Sequence, residues 1–125
     1  MINKVEELKK VYEEAYGKLW ALVEKYTFID KRMRSNASLE EKQKIADEFV
    51  DFDYIEVKKE TENANKAVHN LVTSEEHREI INKNEQVMKT YKSYLFASEE
   101  AEYMYPHAKG AVSVFLRDNA PSNEK

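Results

Sequence analysis

The sequence predicts an all-α protein: an elongated antiparallel three-helix bundle with a short C-terminal helix. Three observations carry this expectation. From Lys18 to Tyr105 there is no glycine or proline, so nothing in that span punctuates helical backbone. Val5, Leu8, Tyr12, Ala15, Leu19, Leu22, Tyr26, Ile29 and Met33 recur at alternating spacings of three and four, which sets all of them on one narrow helical face. Ser38 with Glu41, and Thr73 with Glu76, have the spacing of a capping box, in which each partner satisfies a backbone N–H of the other at a helix start.

The first helix is expected from about Asn3 to Met33. Glu6 and Glu7 stand early and Lys31, Arg32 and Arg34 late, the order that complements the helix dipole. Gly17 costs about 1 kcal/mol relative to alanine, too little to break a helix whose apolar pattern continues on both sides. Ser35, Asn36 and Ala37 form a turn, and Ser38 starts the second helix. That helix carries Ile45, Phe49, Phe52, Val57, Ala64, Ala67, Val68 and Leu71, with a polar interval from Lys58 to Asn63 where it could bend. A third helix is expected from near Ser74 to about Tyr105, with Ile80, Ile81, Val87, Met88, Tyr91, Tyr94, Leu95 and Ala101 on its apolar face.

Pro106 and Gly110 then punctuate the chain. Ala111 to Arg117 reads as a short fourth helix; the alternation of Val112, Val114 and Leu116 would also suit a strand, but the chain offers no other strand to pair with it. Residues 1–117 make one bundle domain, and 118–125, with Pro121 and small polar residues, read as a flexible tail. Three helices of about 30 residues would each be about 45 Å long, and short connections make neighbours antiparallel.

Composition agrees with one slender domain. The chain has 125 residues, 42% hydrophobic and 35% charged, enough apolar side chains for a core and much exposed helix surface besides. It has no cysteine, which removes disulfide and thiolate chemistry. No apolar run approaches the roughly 20 residues of a membrane span, and Met1 to Lys10 lacks a signal peptide's apolar core, so no membrane association and a cytoplasmic location are expected. Twenty basic residues spread among 24 acidic ones, for a net charge of -4, make no broad cationic field, and direct nucleic-acid binding is not expected.

Charges beside the first stripe bear on self-association. Lys4, Val11, Lys18, Lys25 and Arg32 take the g positions and Lys9, Tyr16, Val23 and Asp30 the e positions. A parallel self-pair would set Lys4 against Lys9 and gain only Lys25 with Asp30, while an antiparallel pair crowds cations. The second helix offers Asp47, Glu48, Asp51, Asp53, Glu56 and Glu60, so pairing within the chain is expected first. A homo-oligomeric scaffold is the alternative. Val11, Tyr16 and Val23 widen the stripe beyond a two-helix seam, as burial between two neighbours requires.

Two regions are candidate partner surfaces. In the acidic-aromatic stretch Asp47 to Glu56, Phe49 and Phe52 can point inward while Asp47, Asp51 and Tyr54 share another face, presenting carboxylates beside a phenol to a basic protein. The same acids could simply flank the first helix. Tyrosines form the second region: Tyr91, Tyr94, Tyr103 and Tyr105, near Phe96 and Met104. Such rings are favoured at interfaces, though packing of the bundle's end accounts for them equally. The candidate partner-binding residues are therefore Asp47, Asp51, Asp53, Tyr54, Tyr94, Tyr103 and Tyr105.

Reaction chemistry has no such candidates. His69, His77 and His107 stand in no Glu-x-x-His pair and at no i, i+4 spacing with one another, so di-iron and zinc-protease patterns are missing. Asp51 and Asp53 lack the glycine and spaced oxygens of a calcium loop. Serine-nucleophile motifs and phosphate-cradling glycine loops are missing too. The expectation is a protein-binding helical module without catalytic residues, metal or cofactor.

The run Phe28, Ile29, Asp30, Lys31, Arg32, Met33, following Leu22, Val23, Glu24 and Lys25, resembles a family of small uncharacterised proteins carried by staphylococcal phages and pathogenicity islands. The likeness covers about the first half of the chain and departs at Met33, where an aromatic is more usual. It carries no catalytic residue. It implies a mobile-element accessory protein of a Gram-positive host that binds a host or phage protein.

Overall fold

A computed structural model describes residues 3–49 and 54–119. Those residues form five helices and no strand: α1 (Lys4–Met33), α2 (Leu39–Phe49), α3 (Tyr54–Leu71), α4 (Ser74–Lys83) and α5 (Glu85–Asp118). The all-α expectation holds, and the helix boundaries correct its details in two places.

Helix ends follow the local chemistry. The Asn3 side chain accepts hydrogen bonds from the Val5 and Glu6 N–H groups and caps α1. At its other end Ser35 Oγ donates to the Arg32 carbonyl and accepts from Ala37 N–H, closing the turn. Ser38 Oγ accepts from Glu41 N–H at 3.1 Å, half of the expected box. The Glu41 carboxylate takes the Arg32 guanidinium instead, through two bonds of 2.7 and 2.8 Å, and so fixes the corner between α1 and α2. The second box is complete: Thr73 Oγ1 accepts from Glu76 N–H, and Glu76 Oε1 accepts from Thr73 N–H. Lys4 Nζ reaches the other Glu76 oxygen at 2.8 Å, which seats the start of α4 beside the start of α1.

α1 buries Leu8, Tyr12, Ala15, Leu19, Val23, Tyr26, Ile29 and Met33. The expected stripe is reproduced except at its start and centre, where Val5 and Leu22 are only partly covered and Val23 is buried instead. A straight α-helix drifts about 20° per heptad against a strict seven-residue repeat, and the one-position step from Leu22 to Val23 absorbs that drift.

α1 and α5 are parallel neighbours. The Tyr12 ring lies 5.0 Å from Tyr91 and 5.1 Å from Tyr94, and the Tyr26 ring 5.5 Å from Tyr105, so residue numbers rise together along the contact. α5 meets the large side chains of α1 with small ones, Ala97, Ala101 and Ala108, all fully buried, which allows close approach. α2 and α3 run the other way. Phe49 packs on Tyr26 at 6.3 Å and Glu60 lies 3.8 Å from Lys18, while against α5 the pairs are Tyr54 with Tyr105, Thr61 with Ser98 and Asn65 with Tyr94.

The first correction is at Asn84, where the expected third helix divides. Asn84 is extended, with φ -125° and ψ 101°, and α4 turns back along α5. In one continuous helix His77 and Tyr91 would stand about 21 Å apart along the axis; their rings are 5.2 Å apart. The second correction is that residues 111–117 are no separate helix. α5 runs through Pro106 and Gly110 to Asp118. Pro106 and Glu102, whose carbonyl loses its helical partner, are both exposed, so water can take that bond, and burial of Ala108, Ala111, Val112 and Phe115 holds the helix on course. Among the described residues the cations of α1 include Lys18 paired with Glu60, Lys4 with Glu76 and Arg32 with Glu41. Across Lys58 to Asn63, where the helix could bend, α3 is helical without interruption; Asp51, Phe52 and Asp53 lie outside the described residues, as does the tail from residue 120.

Two substitutions test this packing. An alanine Cβ at Gly17 would meet nothing within 4 Å, so Gly17→Ala should raise unfolding stability by about 1 kcal/mol. Leu19→Ala, at a fully buried side chain, should lower it by about 2–5 kcal/mol, both read by urea titration.

Candidate functional site

Turning α4 back on α5 opens a groove of about 500 Å³ between α3, α4 and α5, the best-formed concavity among the described residues. Tyr12 and Tyr94, both almost wholly buried, form its floor with Val68 and Val72. Tyr91 and Leu95 make the α5 wall, and His69, His77, Arg78 and Asn82 come from α3 and α4. A concave apolar floor with a few convergent polar groups is the usual form of a ligand site.

The polar groups on the floor are paired. Tyr12 Oη and His77 Nε2 are 2.6 Å apart, the imidazole tautomer deciding which one donates. Tyr94 Oη donates to Asn65 Oδ1 at 3.3 Å, and Thr61 and Ser98 share a hydroxyl contact of 3.3 Å. Burial pushes the Tyr12 phenol well above its ordinary range, and the neighbouring Tyr91 and Tyr94 add to that. Tyr94 is raised in the same way, by burial and then by Tyr91. His77 is held below its ordinary value by burial first and by His69 second. Near neutral pH the floor is therefore uncharged: phenols that keep their protons and an imidazole without an extra one. Such a set can orient a ligand by hydrogen bonds but supplies neither an ionised nucleophile nor a charged acid. Among the described residues no three His, Cys, Asp or Glu side chains come together to hold a metal ion.

A second surface lies along the seam of α1 and α5. Tyr16 stacks on Trp20 with centroids 6.0 Å apart and planes at 12°, and Trp20 on Phe96 at 5.9 Å and 28°. Phe96 is 51% exposed and Tyr103, seven residues further along the same face of α5, 60%. The His107 ring lies 4.4 Å from Tyr103.

The residues singled out from the sequence are divided among these places. Asp47 is exposed on α2 and accepts from Gln43 Nε2 at 2.9 Å, a local bond between i and i+4. Tyr54 and Tyr105 pack together at 5.3 Å on the Tyr26 and Phe49 rings, with Lys58 Nζ 5.3 Å from the Tyr54 centroid. Tyr94 is inside, at the groove floor, and Tyr103 is outside, on the seam. Asp51 and Asp53 lie outside the described residues. Sequence reasoning missed Trp20, which falls just beside the α1 stripe; its signal was the i, i+4 spacing from Tyr16. It also missed His77 and Arg78 as groove residues, because their neighbours come from distant parts of the chain.

Comparison with protein-family models, curated proteins and solved structures finds no match to the chain. No helix among the described residues is long and apolar enough to cross a membrane.

The depressed His77 value sets a pH dependence. The folded protein prefers the neutral imidazole, so the unfolded chain binds the proton more readily, and this contribution to stability is complete above about pH 6.5. It is lost as pH falls from there through the lower folded value. The melting temperature should therefore drop between pH 7.5 and about 5.5, and His77→Gln should flatten that drop, as followed by circular dichroism.

Proposed function

We propose that this protein is a non-enzymatic helical module that grips a protein partner through the aromatic seam of α1 and α5. The observation that carries the reading is the stacked series Tyr16, Trp20 and Phe96, with both Phe96 and Tyr103 more than half exposed. Large rings kept partly in water at the centre of a helical face are the typical anchors of protein interfaces. Lys89, Thr90 and Ser93 line the same seam beside Glu13 and Tyr16, giving the apolar strip a polar rim.

In this reading α1, the α2–α3 pair and α5 act as three legs of an up-down-up bundle, and α4 closes one end. The legs exist to hold the seam rigid. The likeness of Phe28 to Met33 to small phage and island proteins supports a mobile-element accessory role in the cytoplasm of a Gram-positive host, directed at a host or phage protein. The tyrosine region noted in the sequence thus contributes Tyr103, while Tyr94 serves the interior; the acidic face around Asp47 is a weaker candidate, since Asp47 is engaged on its own helix. A self-associating scaffold is the second reading, favoured by the same exposed rings.

Immobilised protein in a staphylococcal lysate tests the proposal. Phe96→Glu with Tyr103→Glu removes two exposed rings and the Trp20–Phe96 stack, costs about 1–2 kcal/mol of stability, and should abolish capture of a partner that Asp47→Lys leaves bound. Capture unaffected by the double variant, or lost only with Asp47→Lys, would contradict the seam. Sedimentation that shows a monomer at all concentrations removes the scaffold reading.

A further inference from the structure

We propose that the groove between α3, α4 and α5 binds a small organic acid, with its carboxylate at Arg78 and His69 and its apolar body over Tyr91, Leu95 and Ile81. This site is on a different surface from the aromatic seam and does not depend on it.

Charge is the first ground. The chain carries more acid than base, with a net charge of -4, yet the groove lining includes the Arg78 guanidinium and not one carboxylate. A negatively charged ligand meets attraction there and no opposing group. The second ground is idle hydrogen-bonding capacity. Among the described residues the side chains of Arg78, His69, Asn82 and Tyr91 make no hydrogen bond or ion pair, whereas the floor groups Tyr12, Tyr94, Asn65 and His77 are already engaged with one another. The free donors lie on the walls, where an entering group would meet them, and a guanidinium matches a carboxylate through two parallel bonds. The third ground is size and polarity. About 500 Å³ over an aromatic and aliphatic floor is within the range of small-ligand sites and leaves room for a ring or a short alkyl chain. The half-buried Tyr91 ring by itself would also suit a cation; Arg78 in the same groove lining decides for the anion.

Binding can be followed by titrating 3-phenylpropionate, 3-phenylpropanamide and 3-phenylpropylamine into the isotope-labelled full chain and recording amide and aromatic shifts by NMR. The acid should move resonances of His69, His77, Arg78 and Tyr91, leave those around Trp20 unmoved, and bind at least about tenfold more tightly than the amide, the scale of one charge-assisted pair. Arg78→Gln, an exposed substitution whose fold is checked by the unmoved remainder of the spectrum, should erase the preference of acid over amide. Equal binding of the three probes, preference for the amine, no shift at the groove, or an acid preference that survives Arg78→Gln would each overturn the assignment.

Discussion

Parallel packing of α1 on α5 is the constraint from which the rest of the architecture follows. The first helix carries a continuous stripe of large side chains that has to leave water, and α5 receives it with the rings of Tyr91, Tyr94 and Tyr105 interspersed with buried alanines. Two parallel neighbours cannot be joined by a tight turn, so the chain between them must travel back along the bundle. α2 and α3 make that return, and their arrival at the far end leaves the chain beside the start of α1, where Lys4 meets Glu76. α4 fills the end before α5 begins its ascent.

Both candidate surfaces are by-products of this route. Because α4 turns back at Asn84 rather than continuing into α5, His77 is brought onto Tyr12 and Tyr91, and the space between α3 and α5 stays open as a groove. Because α3 covers one side of the contact between α1 and α5, the opposite side has no helix over it among the described residues, and there Tyr16, Trp20 and Phe96 stack on one another. Ring stacking compensates only part of the cost of leaving such side chains wet, which is why that face is read as a place for a partner. The groove differs in kind: its floor is internally satisfied and only its walls hold unused donors.

What was legible in the sequence was what repeats locally. The stripe of α1 and the caps at Ser38 and Thr73 rest on spacings of a few residues, and they are present in the structure. Pro106 and Gly110 misled because they were weighed as local breakers, while Ala108, Ala111 and Phe115 continue the buried face of α5 beyond them; the burial of that face outweighs one lost hydrogen bond. The division at Asn84 had no comparable signal, since α4 turns back through contacts with α1 and α5 that are distant in the sequence. Tyr12 and His77 are 65 positions apart, and no spacing rule joins them. Trp20 could have been found from its interval to Tyr16, but its exposure depends on where α3 lies.

Since the chain has no cysteine, spin labels can be placed at chosen pairs and the direction of α5 along α1 measured by double electron–electron resonance. With labels at Lys10→Cys and Lys89→Cys, and in a second sample at Lys10→Cys and Arg117→Cys, a parallel contact predicts a short first distance and a second one longer by tens of ångströms, as 1.5 Å per residue along α5 requires. The reverse order, or two equal distances, would contradict the parallel packing and the two surfaces derived from it.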